Sequence, residues 1–194
     1  MDDMPYYFER EQKPDMGFTP DASYGICHCE KGHMGFEVHA KNDSAVVKSF
    51  EAGTVSNAVP FKAECALVCS PEEVEKLQAK AAKSKGMFEV SPTQEGCTVL
   101  CHGKAAHAAS PEDGVNAAAH LVELLCKVFK KDQLGSFFRF IHEKIGLCTD
   151  GEKIGVKMSD EPSGPLTFNL GLVHVDGDAC SLTVDIRYPA TKQG

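Results

Sequence analysis

From Gly25 onwards, apolar and polar residues alternate in short runs separated by Gly and Asn-Asp breaks: GICHCEK (25–31), MGFEVHAK (34–41), AVVKSFEAG (45–53) and FKAECALVC (61–69). A period of two sends successive side chains to opposite faces of a strand, so these runs predict short antiparallel strands. The period then lengthens. In SPEEVEKLQAKAAKS (70–84) Ser70 can cap, Pro71 suits the first helical position and Glu73 stands at the capping-box offset, which predicts a helix. The plan recurs downstream. MFEVSPTQEGCTVLCHGKA (87–105) predicts two strands around a turn, and SPEDGVNAAAHLVELLCKVF (110–129) predicts a helix with the same Ser-Pro-Glu start. QLGSFFRFIHEKIG (133–146) predicts a third helix with Phe137, Phe138, Phe140 and Ile141 on one side, and 164–189 reads as a hairpin turned at Asp-Gly-Asp, 176–178.

These elements predict an α+β fold with helices on one face of antiparallel sheet. It is built from two similar α/β halves, about 24–90 and 91–189. Residues 1–23 are expected to form a connector: the first twenty are rich in acids, prolines and aromatics, and EQKPDMGFTPDASYG (11–25) reads as loop or connector, since Pro14 and Pro20 disfavour helix just before them.

Charge narrows the partners. The chain carries 28 acids against 20 bases, a formal net charge of −8, and no run of Lys or Arg longer than two, which argues against nucleic acid. No apolar run approaches the roughly 20 residues of a membrane span. The acidic start MDDMPYYFERE is unlike a signal peptide, and a cytoplasmic location with reduced thiols at the nine cysteines is the expectation.

Several residues could carry chemistry. Cys27, His28, Cys29 and His33 lie close enough in sequence to suggest a metal-binding module. On a strand, however, Cys27 and Cys29 share one face and His28 takes the other, and no second ligand pair stands at a workable spacing, so core packing of the two thiols is the simpler reading. His107 lies among small residues in GKAAHAASPEDG, in a loop beside a predicted helix start, where an imidazole is accessible and an anion is favoured. Asn57 in GTVSNAVPF suits a turn. Arg187 in LTVDIRYP needs an anion to meet unless Asp185 pairs with it. The other histidines, His33 among them, share no spacing and read as structural or surface residues.

Taken together, PDMGFTPDASYG, FEAGTVSNAVP, GKAAHAASPEDGVNA and DIRYP resemble, in order and spacing, the zinc dipeptidases of the dipeptidase V type, within the aminoacylase and carboxypeptidase G metallopeptidase group. The resemblance runs from about Met1 to Pro189 and covers the lid that interrupts the catalytic domain, a doubled, ferredoxin-like unit that imitates the second subunit of dimeric relatives. It implies that 24–189 is the lid, 1–23 the connector from the catalytic domain and 190–194 the return linker. It implies a zinc-ligand role for Asp21, oxyanion stabilisation by His107, and substrate binding by Asn57 and by Arg187 at the free carboxylate. It also implies two zinc ions in a full-length, monomeric enzyme acting on dipeptides or short peptides, with the enzyme's own catalytic domain as the partner of the lid. The remaining metal ligands and the Glu base of that family have no counterpart here, and Ala105 stands where the family usually has Ser. The chain is therefore expected to be an inactive lid fragment that binds no zinc by itself, the alternatives being a complete binding or dimerisation module or a Cys/His metal module.

Overall fold

Alternation along the strands sorts their side chains onto the two faces of a single sheet. The computed structural model describes residues 3–17, 25 and 29–192. Its strands in chain order are β1 (Gly32–Lys41), β2 (Val47–Ala52), β3 (Lys62–Val68), β4 (Phe88–Pro92), β5 (Gly96–His102), the short pair β6 (Ser159–Asp160) and β7 (Gly164–Pro165), and the long hairpin β8 (Thr167–Asp176) and β9 (Ala179–Tyr188). Seven of them form one sheet in the order β1-β9-β8-β2-β3-β5-β4, with every ladder antiparallel. The two stretches expected as similar halves share this sheet. β5, from the second, lies between β3 and β4 of the first, and β8 and β9 lie between β1 and β2.

Cross-strand register makes the core. Val38, Leu182, Val173, Ala52, Ala63, Cys101 and Phe88 follow one another across all seven strands, and Ala40, Cys180, Val175, Phe50, Cys65, Val99 and Val90 form the next row. Against these rows pack Val74 and Leu77 of α2 (Pro71–Ala81), Leu121 and Leu125 of α3 (Ala117–Cys126), and Phe137 and Phe138 of α4 (Lys131–Phe140) in one apolar cluster. The alternate strand positions form an exposed polar face that carries Glu51, Lys62, Glu64, Glu89, His102 and His174. Burial pushes the thiols of Cys97 and Cys101 up to about 12, so these cysteines pack as small apolar residues.

Three local expectations are corrected, and one further element appears. Cys29–Lys31 are not strand; the first strand begins at Gly32, and Cys27 and His28 lie outside the described residues. The N-terminal stretch holds a short helix, α1 (Asp3–Phe8), because Pro5 falls in its first turn, where the missing N–H costs nothing, and Pro14 is too distant to oppose it. The Ser110-Pro111 start makes only a 3₁₀ turn, Pro111–Asp113, with no side-chain cap from Ser110. Gly114 is extended there, and Asn116 caps α3 by accepting from the Ala119 N–H. In α4 the helix breaks at Gly135 (φ 77°), where a Cβ would come 2.3 Å from Asp43 Oδ1. Asp43 instead accepts the Ser136 N–H at 2.8 and 2.9 Å and recaps the chain, which ends in a π-helical turn, Ile141–Ile145.

Candidate functional site

Near one end of the sheet the exposed face closes over. In one row His33 of β1 lies opposite Arg187 of β9, which lies opposite Thr167 of β8; in the next, Gly35, Asp185 and Asn169 line up. This alignment depends on a bulge in β8 between Leu170 and Leu172 that shifts the hairpin register by one residue. Thr167, Asn169 and Asp185 are the buried polar or charged residues among those described, at 5%, 1% and 2% exposure. Two loops cover them. Residues 53–60 leave β2 and run beside β8, so closely that a Cβ on Gly171 would come 2.2 Å from the Ser56 carbonyl oxygen. Residues 104–110 lie alongside: Val59 N–H donates to Ala106 O at 2.9 Å, Ala108 N–H donates to Asn57 O at 3.0 Å, and Ala58 bridges His107.

The loops therefore bring Asn57 and His107 together through their backbones, and both residues are exposed. Their small neighbours matter locally: Ala106 and Ala108 fit where the two backbones pair, and Ala108 is fully buried. The Ala109 N–H donates to His107 Nδ1 at 3.1 Å. With Nδ1 acting as acceptor, the proton of the neutral ring sits on Nε2, so Nε2 is a donor.

Arg187 is not the unpaired strand cation that its sequence context leaves open. Its Nε and Nη2 donate to Asp185 Oδ1 at 2.9 Å and Oδ2 at 3.3 Å, because residues two apart on a strand share a face. Two of the five guanidinium N–H donors are used in this way, which leaves the Nη1 end available. Thr167, directly opposite Arg187, donates from Oγ1 to Ala108 O at 3.3 Å and so ties the Arg187 row to the His107 loop. His33, expected at the surface or in a structural role, reaches the same carboxylate, with Nε2 3.0 Å from Asp185 Oδ2. The sequence does not single out Thr167 or Asn169, and it offers Asp185 only as a possible partner of Arg187 and His33 only within the Cys/His cluster. The signal for the β8 and β9 residues is polar side chains two apart within apolar strands, TFN and DIR.

Beside the Asn57 loop lies an open cleft of ≈ 300 Å³ lined by Gly53, Thr54, Val55, Ala58, Phe61 and Ala105, with Val55 and Phe61 half exposed. Among the described residues no group of three or more His, Cys, Asp or Glu is placed to hold a metal ion. His33 and Asp185 do meet, but the third member is a guanidinium, which donates and cannot ligate. Asp21, the zinc ligand implied by the resemblance, lies outside the described residues, as do Cys27 and His28. No described helix is long and apolar enough to cross a membrane.

Residues 94–193, which carry β5, the His107 loop and the β8–β9 hairpin, match the family model of the M20 peptidase dimerisation domain. The chain belongs to the M20 peptidase dimerisation domain family. This M20 domain is also 33% identical over 201 residues to "Putative dipeptidase YtjP" of Bacillus subtilis, a match covering 97% of the chain and 42% of that relative. It is 29% identical over 195 residues to "Putative dipeptidase SSP1012" of Staphylococcus saprophyticus, covering 94% of the chain and 41% of the relative. The M20 domain thus spans about two fifths of the length of these curated relatives. His107, Thr167, Asn169, Asp185 and Arg187 fall within the family match, whereas Asn57 precedes it.

Proposed function

We propose that the chain is the lid of a zinc-dependent dipeptidase that hydrolyses dipeptides or short peptides, and that it is inactive without the catalytic segments of a longer polypeptide. His107 Nε2–H would donate to the scissile carbonyl oxygen as charge develops on it. Asn57 would hydrogen-bond the substrate backbone, and the Nη1 end of Arg187 would hold the terminal carboxylate. The observation that carries this reading is the Ala109-to-His107 hydrogen bond, which leaves Nε2 of this exposed residue as the donor. The donor set of the described residues does not fit the two zinc ions, so other segments would have to hold them.

On this reading the single sheet is a doubled, ferredoxin-like lid standing in for a second subunit, the whole enzyme is a cytoplasmic monomer, and the lid's macromolecular partner is its own catalytic domain. The test is His107→Ala in the longer polypeptide, assayed on dipeptides with metal content measured in parallel. The expected result is a loss of about 10²–10³ in kcat, the usual effect of removing one oxyanion donor, with metal content unchanged. Parallel loss of metal and activity would make His107 structural and overturn the proposal.

A further inference from the structure

We propose that Asn169 is a positioning residue for substrate binding, the centre of a buried polar layer with Thr167 and Asp185 that holds the substrate-facing side chains in place from behind. This rests on the lid reading. The three residues are buried at 5% exposure or less, on adjacent rows of β8 and β9, and each serves a different member of the site. Thr167 holds Ala108, next to His107. Asp185 holds the guanidinium of Arg187. Asn169 Nδ2 donates to both carbonyl oxygens that flank Asn57, Ser56 O at 3.3 Å and Ala58 O at 3.0 Å.

Asn57 O itself accepts the Ala108 N–H, so three successive carbonyls of the loop are engaged. The direction of the Asn169 amide follows from its partners, since two carbonyl oxygens can be met only by the NH₂ end. Its Oδ1 is buried and, among the described residues, has no hydrogen-bond partner. An apolar residue would fill the position without that desolvation penalty. What the amide adds is a grip on either side of Asn57, in a place where Gly171 already lets the loop lie against β8. A loop that carries a substrate contact on exposed backbone otherwise exchanges among conformations, and each must be abandoned on binding. Pinning it from the sheet removes that cost and would appear in KM.

The experiment is hydrogen–deuterium exchange on the 194-residue chain, comparing wild type with Asn169→Ala and reading the Val59 and Ala108 amides, which close the two loops on each other. Loss of the clamp is expected to speed their exchange about ten-fold or more, with β3 and β5 unchanged. Unchanged loop exchange, or an equal rise through β3 and β5, overturns the proposal. If Asn169→Ala does not fold, Asn169→Ser is read instead. It keeps one donor, and a smaller rise confined to the same amides is expected; no local rise again overturns the clamp. In the longer polypeptide, Asn169→Ala is expected to raise KM for dipeptides with a much smaller change in kcat, and an unchanged KM in an active enzyme overturns the positioning role. A wild-type polypeptide that cleaves no dipeptide, alongside loosened loops in Asn169→Ala, would instead refute the lid reading and leave the clamp standing.

Discussion

Asp185→Ala is expected to destabilise the fold by about 3–5 kcal/mol, the range for breaking a buried ion pair from one side. The carboxylate is 2% exposed and receives Arg187 at 2.9 and 3.3 Å and His33 at 3.0 Å. Much of the cost lies in what remains. The Arg187 side chain is 24% exposed and would keep its charge without a counter-ion. Arg187→Ala does the mirror damage, leaving the buried carboxylate with His33 alone. Each single change orphans a charge and the double change orphans neither, so the double variant is expected to cost about 1.5–3 kcal/mol less than the sum of the singles. Urea unfolding of the four proteins, followed by far-UV circular dichroism, gives the cycle. In a chain of this length each kcal/mol moves Tm by about 2–4 °C, so Asp185→Ala should lower it by roughly 10 °C. Additivity to within about 0.5 kcal/mol would refute the argument, because it would mean that the two side chains are anchored independently.

Three further outcomes are expected. Gly135→Ala forces a Cβ into a positive φ and against Asp43, and should cost about 1–3 kcal/mol in urea unfolding; a neutral result would show that the kink relaxes. Asp150 is held down to about 2, first by the Cys148 thiol that donates to it and then by Lys157. Its contribution to stability is therefore complete above the unfolded carboxylate pKa near 4 and is lost as pH falls toward 2, and Asp150→Asn should flatten that part of the stability–pH curve. In the longer polypeptide, Arg187→Ala should raise KM for free dipeptides more than for their C-terminal amides, and an equal effect on both would exclude the carboxylate role.

Strand periodicity, the Ser70 capping box and the Phe-rich helix face were legible because each depends on neighbours in sequence. The Ser70 box forms as read, with the Glu73 N–H donating to Ser70 Oγ and the Ser70 N–H to Glu73 Oε2. The matching Ser110-Pro111 start failed because Val115 bridges Lys104 and holds Gly114 extended, a long-range pairing that no local motif reports. Of the candidate site, the sequence singles out Asn57, His107 and Arg187 but not the buried layer behind them. Asn57 and His107 stand out in loops of small residues, but the grip on them comes from β8. Counting back along the hairpin from the Asp176–Ala179 pair would set Tyr188 opposite Thr167; the bulge at Gly171 sets Arg187 there instead. A one-residue shift of that kind carries no compositional mark, so the polar rows on β8 and β9 could not be assembled from the sequence.

The strand order has a consequence for synthesis. Among the described strands β1 pairs with β9 alone, and the hydrogen bond between His33 and Asp185 joins residues 152 positions apart. A chain emerging from the ribosome N-terminus first holds β1 without a partner until the last strand is made. The sheet can grow from β2, β3, β5 and β4 in the meantime, but its final ladder, and with it the His33–Arg187–Thr167 row, must close after translation has passed Tyr188. Non-local closure of this kind is slow and leaves strand edges open while it waits. The covered end of the sheet is thus the last part of the domain to mature, and chains that stall before β9 would lack Arg187 and its carboxylate.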